Sequence, residues 1–204
     1  MRLKNIIIDN MRKIYFATTN KAKIKSLEND LKKLGIKVEP VNMEIPEIRA
    51  DETRDVAREK VIYAHNKIKK PCVAQDGGFY ISSLNGFPKS YAKFAVNTIG
   101  IEGILKLIEG KERNCEFRDT FAYFEKSLEK PVLFEAITRG TIAKEPGGEI
   151  KKRHWSELHK IFIPESAQKT FSEMTLLEMN KYRNNGNEWC GVKLAKWLKK
   201  HLNI

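Results

Sequence analysis

Hydrophobic positions along the first third of the chain follow two alternating periods. Lys13-Ile14-Tyr15-Phe16-Ala17 reads as a short buried strand. Ile24, Leu27, Leu31 and Leu34 then recur at steps of three, four and three, which predicts a helix capped by Gly35. A strand over residues 36–41 and a second helix over 51–69 follow. Pro71-Cys72-Val73-Ala74-Gln75 predicts a short strand ended by Asp76-Gly77-Gly78. Residues 91–97 and 101–108 have helical character. Cys115, Phe117, Phe121 and Tyr123 fall on one side of an alternating strand, and Val132, Phe134 and Ala136 repeat the pattern in the next. Residues 139–143 continue the sheet after a break. Pro146-Gly147-Gly148 marks a loop, and Ile161-Phe162-Ile163 a short strand stopped by Pro164. The last segment is an amphipathic helix with Cys190, Leu194, Trp197 and Leu198 on one face. Strands and helices mix without strict alternation. The expected class is therefore α/β, with a mixed sheet and helices packed around it. Residues 1–10 carry no clear pattern and read as an N-terminal extension, with Met11 as an internal start. Residues 11–204 read as a single domain, without internal repeat or low-complexity linker.

Composition narrows the setting. The chain has 204 residues, 41% of them hydrophobic, enough for a real core and too many for disorder. No apolar run approaches the ~20 residues of a membrane helix, and Ile6-Ile7-Ile8 is too short for a signal-peptide core. The expected location is the cytoplasm. Cys72, Cys115 and Cys190 lie far apart, in no metal-ligand spacing, and read as buried thiols. The net charge of +12 suits an anionic partner, either a polyphosphate or a nucleic acid, and equally a lysine-rich solvated surface.

Two segments carry candidate chemistry. Thr18-Thr19-Asn20-Lys21-Ala22-Lys23 joins the first strand to the first helix. A helix start offers backbone N–H groups and a positive dipole end, which suit phosphate. Thr18 or Asn20 can cap it and Lys23 adds a full charge, although an ordinary capped turn would read the same way. Gln75-Asp76-Gly77-Gly78 places a carboxylate at the end of a buried strand, where α/β proteins commonly hold ligands. Glu47, after Pro46, is a second acid in a loop. Two such acids with room for water are what Mg²⁺ prefers, and both also read as solvated loop residues.

These segments and others resemble the inosine-triphosphate pyrophosphatase, or Ham1-like, family. Ala17-Thr18-Thr19-Asn20-Lys21-Ala22-Lys23 is similar to its Thr-x-Asn-x-x-Lys signature, and Ile45-Pro46-Glu47-Ile48 to its Pro-Glu segment. Ala57-Arg58-Glu59-Lys60 resembles its Ala-x-x-Lys helix, and Gln75-Asp76-Gly77-Gly78-Phe79 its acidic stretch. Leu84-Asn85-Gly86-Phe87-Pro88, Ser90 to Phe94, Thr98 to Leu107, Phe162-Ile163-Pro164 and Thr170 to Met174 follow in family order. The resemblance implies a long mixed β-sheet with flanking helices, forming two lobes around a central cleft, in a homodimer. It implies a nucleoside-triphosphate diphosphatase that uses Mg²⁺ to cut between the α and β phosphates, with ITP, dITP and XTP as the usual substrates. Thr18, Asn20, Lys23, Lys60 and Gly77 are then expected at the triphosphate, Glu47 and Asp76 at the metal, and Asp76 with Lys23 at the chemistry.

The departures from the family pattern bear mostly on the base. Gln75 stands where two adjacent acids are usual, and Ser26 where many members carry Glu. Arg153-His154-Trp155-Ser156-Glu157-Leu158-His159 replaces a Gly-Phe-Gly-Tyr/Trp-Asp segment, so the stacking aromatic is out of register. Glu178 to Asn185 lacks the Ser-His-Arg that should meet the base. Trp155, His154, His159, Tyr182 and Arg183 are the candidates for a rebuilt base pocket with altered or relaxed base selection, for these purines or a modified base, with packing as their alternative role. His154 and His159 are five apart, a poor metal pair. A Maf-type nucleotide pyrophosphatase is the competing enzyme reading. A non-catalytic or catalytically weak binder of nucleotides or nucleic acid is the competing reading from another class. Lys193, Lys196, Lys199 and Lys200 could serve it, but no aromatic-basic recognition motif does.

Overall fold

The computed structural model describes residues 12–46, 48–184 and 188–203, without the side chains of Asn180, Arg183 and Asn184. The expected extension 1–10 lies outside the described residues.

Seven strands form one mixed sheet in the order β2-β1-β3-β5-β6-β7, with the two-residue β4 paired to β3. They are β1 (Lys13–Ala17), β2 (Lys37–Val41), β3 (Cys72–Ile81), β4 (Pro88–Lys89), β5 (Asn114–Phe124), β6 (Val132–Ile142) and β7 (Phe162–Pro164). The helices are α1 (Lys21–Leu31), α2 (Thr53–Ile68), α3 (Ala92–Leu107), α4 (Leu176–Asn184) and α5 (Cys190–His201). β1 pairs in parallel with β2 and β3, whereas β3, β5, β6 and β7 pair antiparallel.

Two expectations change. β3 does not stop at Gln75 but runs on through Asp76, Gly77 and Gly78 to Ile81. All ten of its residues have partners in β5, from Cys72 opposite Phe124 to Ile81 opposite Cys115. The two glycines carry no side chain, but they keep the N–H and C=O groups that the ladder needs. Likewise β6 is continuous, because its partners in β5 run unbroken from Tyr123 to Asn114. The two helical stretches expected around residue 100 are borne out. α3 is interrupted at Gly100, whose φ of 67° and ψ of −179° no L-residue adopts readily.

Side-chain alternation assigns the two sheet faces. Val73, Phe121 and Tyr123 point to one face, where they pack with Leu27 and Leu31 of α1 and with Cys190, Leu194 and Leu198 of α5. Cys72, Ala74 and Ala122 point to the other, against Ala57, Val61 and Ala64 of α2. Small residues on both sides let α2 lie close to the sheet. A third cluster fills the far half of the long strands, with Phe79, Ile81 and Phe117 packed on Phe162, Phe171, Ile104, Ile108 and Leu158. β3 and β5 thus pass through two core regions. Asp76 to Gly78 and Arg118 to Thr120 form the stretch between them.

Leu194 is fully buried between α5 and the sheet. Leu194→Ala should lower unfolding free energy by ~2–5 kcal/mol, read by urea denaturation.

Candidate active site

The parallel ladder between β1 and β3 ends at Phe16 opposite Val73. The chain leaves β1 at Ala17 and turns into α1 beside the next residues of β3. Thr18 and Asn20 build that turn. The Thr18 hydroxyl accepts from the Asn20 N–H at 3.2 Å. Asn20 Oδ1 accepts from the N–H groups of Ala22 at 3.0 Å and Lys23 at 3.2 Å. The cap is therefore made by the side-chain oxygen, which turns the Asn20 amide nitrogen outward as the donor. The helix start offers an anion this amide and Lys23 more than its own backbone N–H groups.

Asp76 lies on the α2 face of β3. Lys60, one turn inside α2 from the buried Ala57, reaches its Oδ1 at 2.9 Å. Both side chains are mostly buried, at 15% and 13% exposure, so the pair is far less screened than a surface ion pair. On the same face, Thr53 Oγ1 and Thr120 Oγ1 stand 2.9 Å apart and tie the start of α2 to β5 beside Asp76.

Lys23 projects from the first turn of α1 toward this strand pair. Burial lowers its pKa, while the carboxylates of Asp76 and, next, Asp119 oppose that fall and Lys60 adds to it. Its Nζ lies 5.9 Å from the centre of the Trp155 ring. Trp155 is half-buried, with its edge on Phe117 at 5.1 Å and on His159 at 4.7 Å between ring centres. Gly77 completes the contact, since a Cβ there would sit 3.8 Å from Trp155 Cζ3.

The structure thus draws Thr18, Asn20, Lys23, Lys60, Asp76, Gly77 and Trp155 into one region around the junction of β1, α1, β3 and α2. Trp155, out of register in the sequence, stands beside the lysine in space. Tyr182 of α4 packs on Phe171 with ring centres 5.9 Å apart, and burial raises its pKa. His159 is fully buried among Trp155, Phe117 and Phe171. His154 is buried too, and its Nδ1 accepts from the Lys151 N–H at 3.0 Å. Burial lowers its pKa, with Arg153 and Lys151 acting in the same direction. Both imidazoles are packed inside the loop wall. Glu47 and the Arg183 side chain lie outside the described residues.

One residue in this region escaped the sequence reading. Asp119 of β5 is 5% exposed and sits opposite Gly77, and its Oδ1 accepts from Gln75 Nε2 at 3.2 Å. A signal was present. Asp119 occupies the middle of the apolar stripe Cys115, Phe117, Phe121, Tyr123, where a charge is out of place.

The carboxylates suit a hard cation in kind, since oxygen donors hold Mg²⁺. Among the described residues no group of three or more His, Cys, Asp or Glu could cage a metal.

The model of the Ham1 family matches residues 14–187. A dITP/XTP pyrophosphatase of Pyrococcus horikoshii is 36% identical over 189 residues, covering 89% of this chain and 98% of that protein. Another, of Methanopyrus kandleri, is 36% identical over 193 residues, covering 93% and 98%. Among solved structures, a HAM1 protein from Coxiella burnetii aligns with a TM-score of 0.80 at 24% identity, over 93% of this chain and all of that one. The Ham1 protein of Staphylococcus aureus aligns at 0.76 and 19% identity with the same coverage. These two likenesses bear on the fold.

Asn20→Ala removes the cap on α1 and the outward amide together. It should cost ~1 kcal/mol of stability, measured by urea denaturation.

Proposed function

The chain belongs to the Ham1 family, and we propose that its cleft hydrolyses non-canonical purine nucleoside triphosphates such as ITP, dITP and XTP to the monophosphate and pyrophosphate. The observation that carries this reading is the convergence of Lys23, Lys60 and Asp76 at the end of the β1–β3 ladder. The names of the relatives, dITP/XTP pyrophosphatases, agree with it.

A triphosphate carries close to four negative charges, which repel an attacking water. In this reading Asn20 Nδ2 and Lys23 hold the phosphates at the start of α1, and Lys60 supplies a second cation from α2. Preorganised cations in a partly dry site stabilise the charge that develops on the phosphoryl oxygens. Thr18 shapes the turn, and Gly77 lets the substrate approach the strand backbone. Asp76, steadied by Lys60, orients the water toward the α-phosphorus and accepts its proton. Mg²⁺, held by Asp76 and Glu47 together with the substrate, would neutralise the phosphates and the departing pyrophosphate. Trp155 offers a flat face for the base beside Lys23. The base side is rebuilt around it, with Tyr182 and Arg183 as the further candidates.

Two wider readings accompany the chemistry. We treat residues 11–204 as one domain that acts in the cytoplasm; among the described residues no helix is long and apolar enough to cross a membrane. The protein acts as a homodimer, because α3 and the turn before it expose Phe87, Tyr91, Phe94, Ile99 and Leu107. Phe94, at 70% exposure, leads that row, and a second copy would cover it.

Pyrophosphate release from ITP, dITP, XTP, dUTP and the standard triphosphates with Mg²⁺ tests the proposal. Inosine and xanthosine substrates should exceed ATP and GTP by at least ~10-fold in kcat/KM. Release from none of them removes the enzymatic reading, and a pyrimidine preference moves the protein to the Maf-type activity. Asp76→Asn should lower kcat at least ~10²-fold, and a near-normal rate would remove its assigned role. Phe94→Glu should shift the light-scattering mass from dimer to monomer; an unchanged mass would place the interface elsewhere.

A further inference from the structure

We propose that Asp119 is a positioning residue of this site, holding the Gln75 amide in one orientation and supplying the strand pair with the second carboxylate that position 75 lacks. The proposal rests on the phosphate-site reading above and extends it to a residue on a neighbouring strand.

Three observations converge on it. Asp119 is buried on the face of β5 that it shares with Phe117 and Phe121, a costly place for a carboxylate without a compensating role. Its cross-strand partner is Gly77, and a Cβ at that position would come within 2.8 Å of Asp119 Oδ1. The glycine is thus the space in which the carboxylate sits. Finally, Gln75 donates Nε2 to that same Oδ1 at 3.2 Å.

The hydrogen bond settles the direction of the amide. An ionised carboxylate only accepts, so Gln75 must present its nitrogen to Asp119 and turn Oε1 away. With the amide reversed, two oxygens would face each other in a buried setting. Position 75 therefore offers the site a fixed carbonyl acceptor, and the negative charge resides one strand over. That charge also reaches Lys23, which Asp76, Asp119, Lys60 and Cys190 all influence. Two carboxylates from adjacent strands thus act on Lys23, while Lys60 is paired with Asp76.

A carboxylate at an anion site should disfavour ground-state binding of polyphosphate, so its presence implies a benefit realised during turnover. This separates positioning from packing. Asp119→Asn keeps the shape and removes the charge. It should make inorganic tripolyphosphate binding, measured by calorimetry without metal, severalfold tighter than in the parent. At the same time kcat with ITP and Mg²⁺ should fall about tenfold or more. The double variant Gln75→Glu/Asp119→Asn returns the charge to the neighbouring strand and keeps a donor–acceptor pair. It should recover kcat to within about threefold of the parent.

An Asp119→Asn kcat within about twofold of the parent overturns the proposal. So does a parallel loss of tripolyphosphate binding and turnover, or a folded double variant no better than the single one. If Asp119→Asn does not fold, the double variant alone decides: parental kcat supports the proposal and a dead enzyme overturns it. A parent that releases no pyrophosphate from any triphosphate refutes the earlier reading instead. The tripolyphosphate comparison would then still decide Asp119, since affinity identical in parent and variant places its charge outside the site.

Discussion

The ten-residue antiparallel ladder between β3 and β5 is the constraint on which the site depends. It runs through both core regions and brings Asp76 and Gly77 of one strand against Thr120 and Asp119 of the other. Each residue's face follows from its parity. Asp76 and Thr120 look toward α2, and Gln75, Gly77 and Asp119 toward α1 and α5. A shift of one residue in the pairing would turn Asp119 away from Gln75 and Thr120 away from Thr53. The glycines do not end the strand. They thin it where the strand backbone meets the Asp119 carboxylate and the Lys89 carbonyl.

Charge balance at this place follows from the same geometry. Two lysines and two carboxylates sit close to one another, and the chain's large positive excess lies elsewhere, mostly on its surface. A site built for tight anion capture alone would carry only the lysines. The buried acids oppose simple binding and favour a cation, a water or an oriented ammonium. That is the arrangement expected of a site that performs chemistry on a polyphosphate.

The region around Trp155 is organised by different forces. Trp155 is held at its edge by Phe117 and His159, which belong to the aromatic core of the second region. His154 and His159 look like chemistry in the sequence. In the fold both are buried, His159 among Trp155, Phe117 and Phe171 and His154 against His159. The neighbouring groove of about 400 Å³, which includes Arg118, Lys89 and Tyr80, is already charge-balanced. Glu52 and Glu116 engage its arginine and Asp51 its lysine.

The periodic segments were legible from the sequence because local patterns carry them. The opening strand, the helix at Leu27 and Leu31, the 3-10 turn Lys32–Leu34 that follows it and is capped by Gly35, the broken helix at Gly100 and the C-terminal amphipathic helix all arise from contacts close in the chain or from a single buried face. The Thr18–Lys23 turn was legible for the same reason, since its cap involves only neighbouring residues, Asn20 to Lys23. The length of β3 was not, because a strand's end is decided by its partner, and local turn residues gave the opposite signal. The role of Asp119 and the place of Trp155 were hidden likewise. A carboxylate in an apolar stripe acquires meaning only opposite a glycine 42 positions away in the chain. An aromatic in an irregular loop finds its neighbour only when α1 and β5 are packed together. Short-range periodicity determined the elements, and long-range pairing decided which of their polar side chains meet.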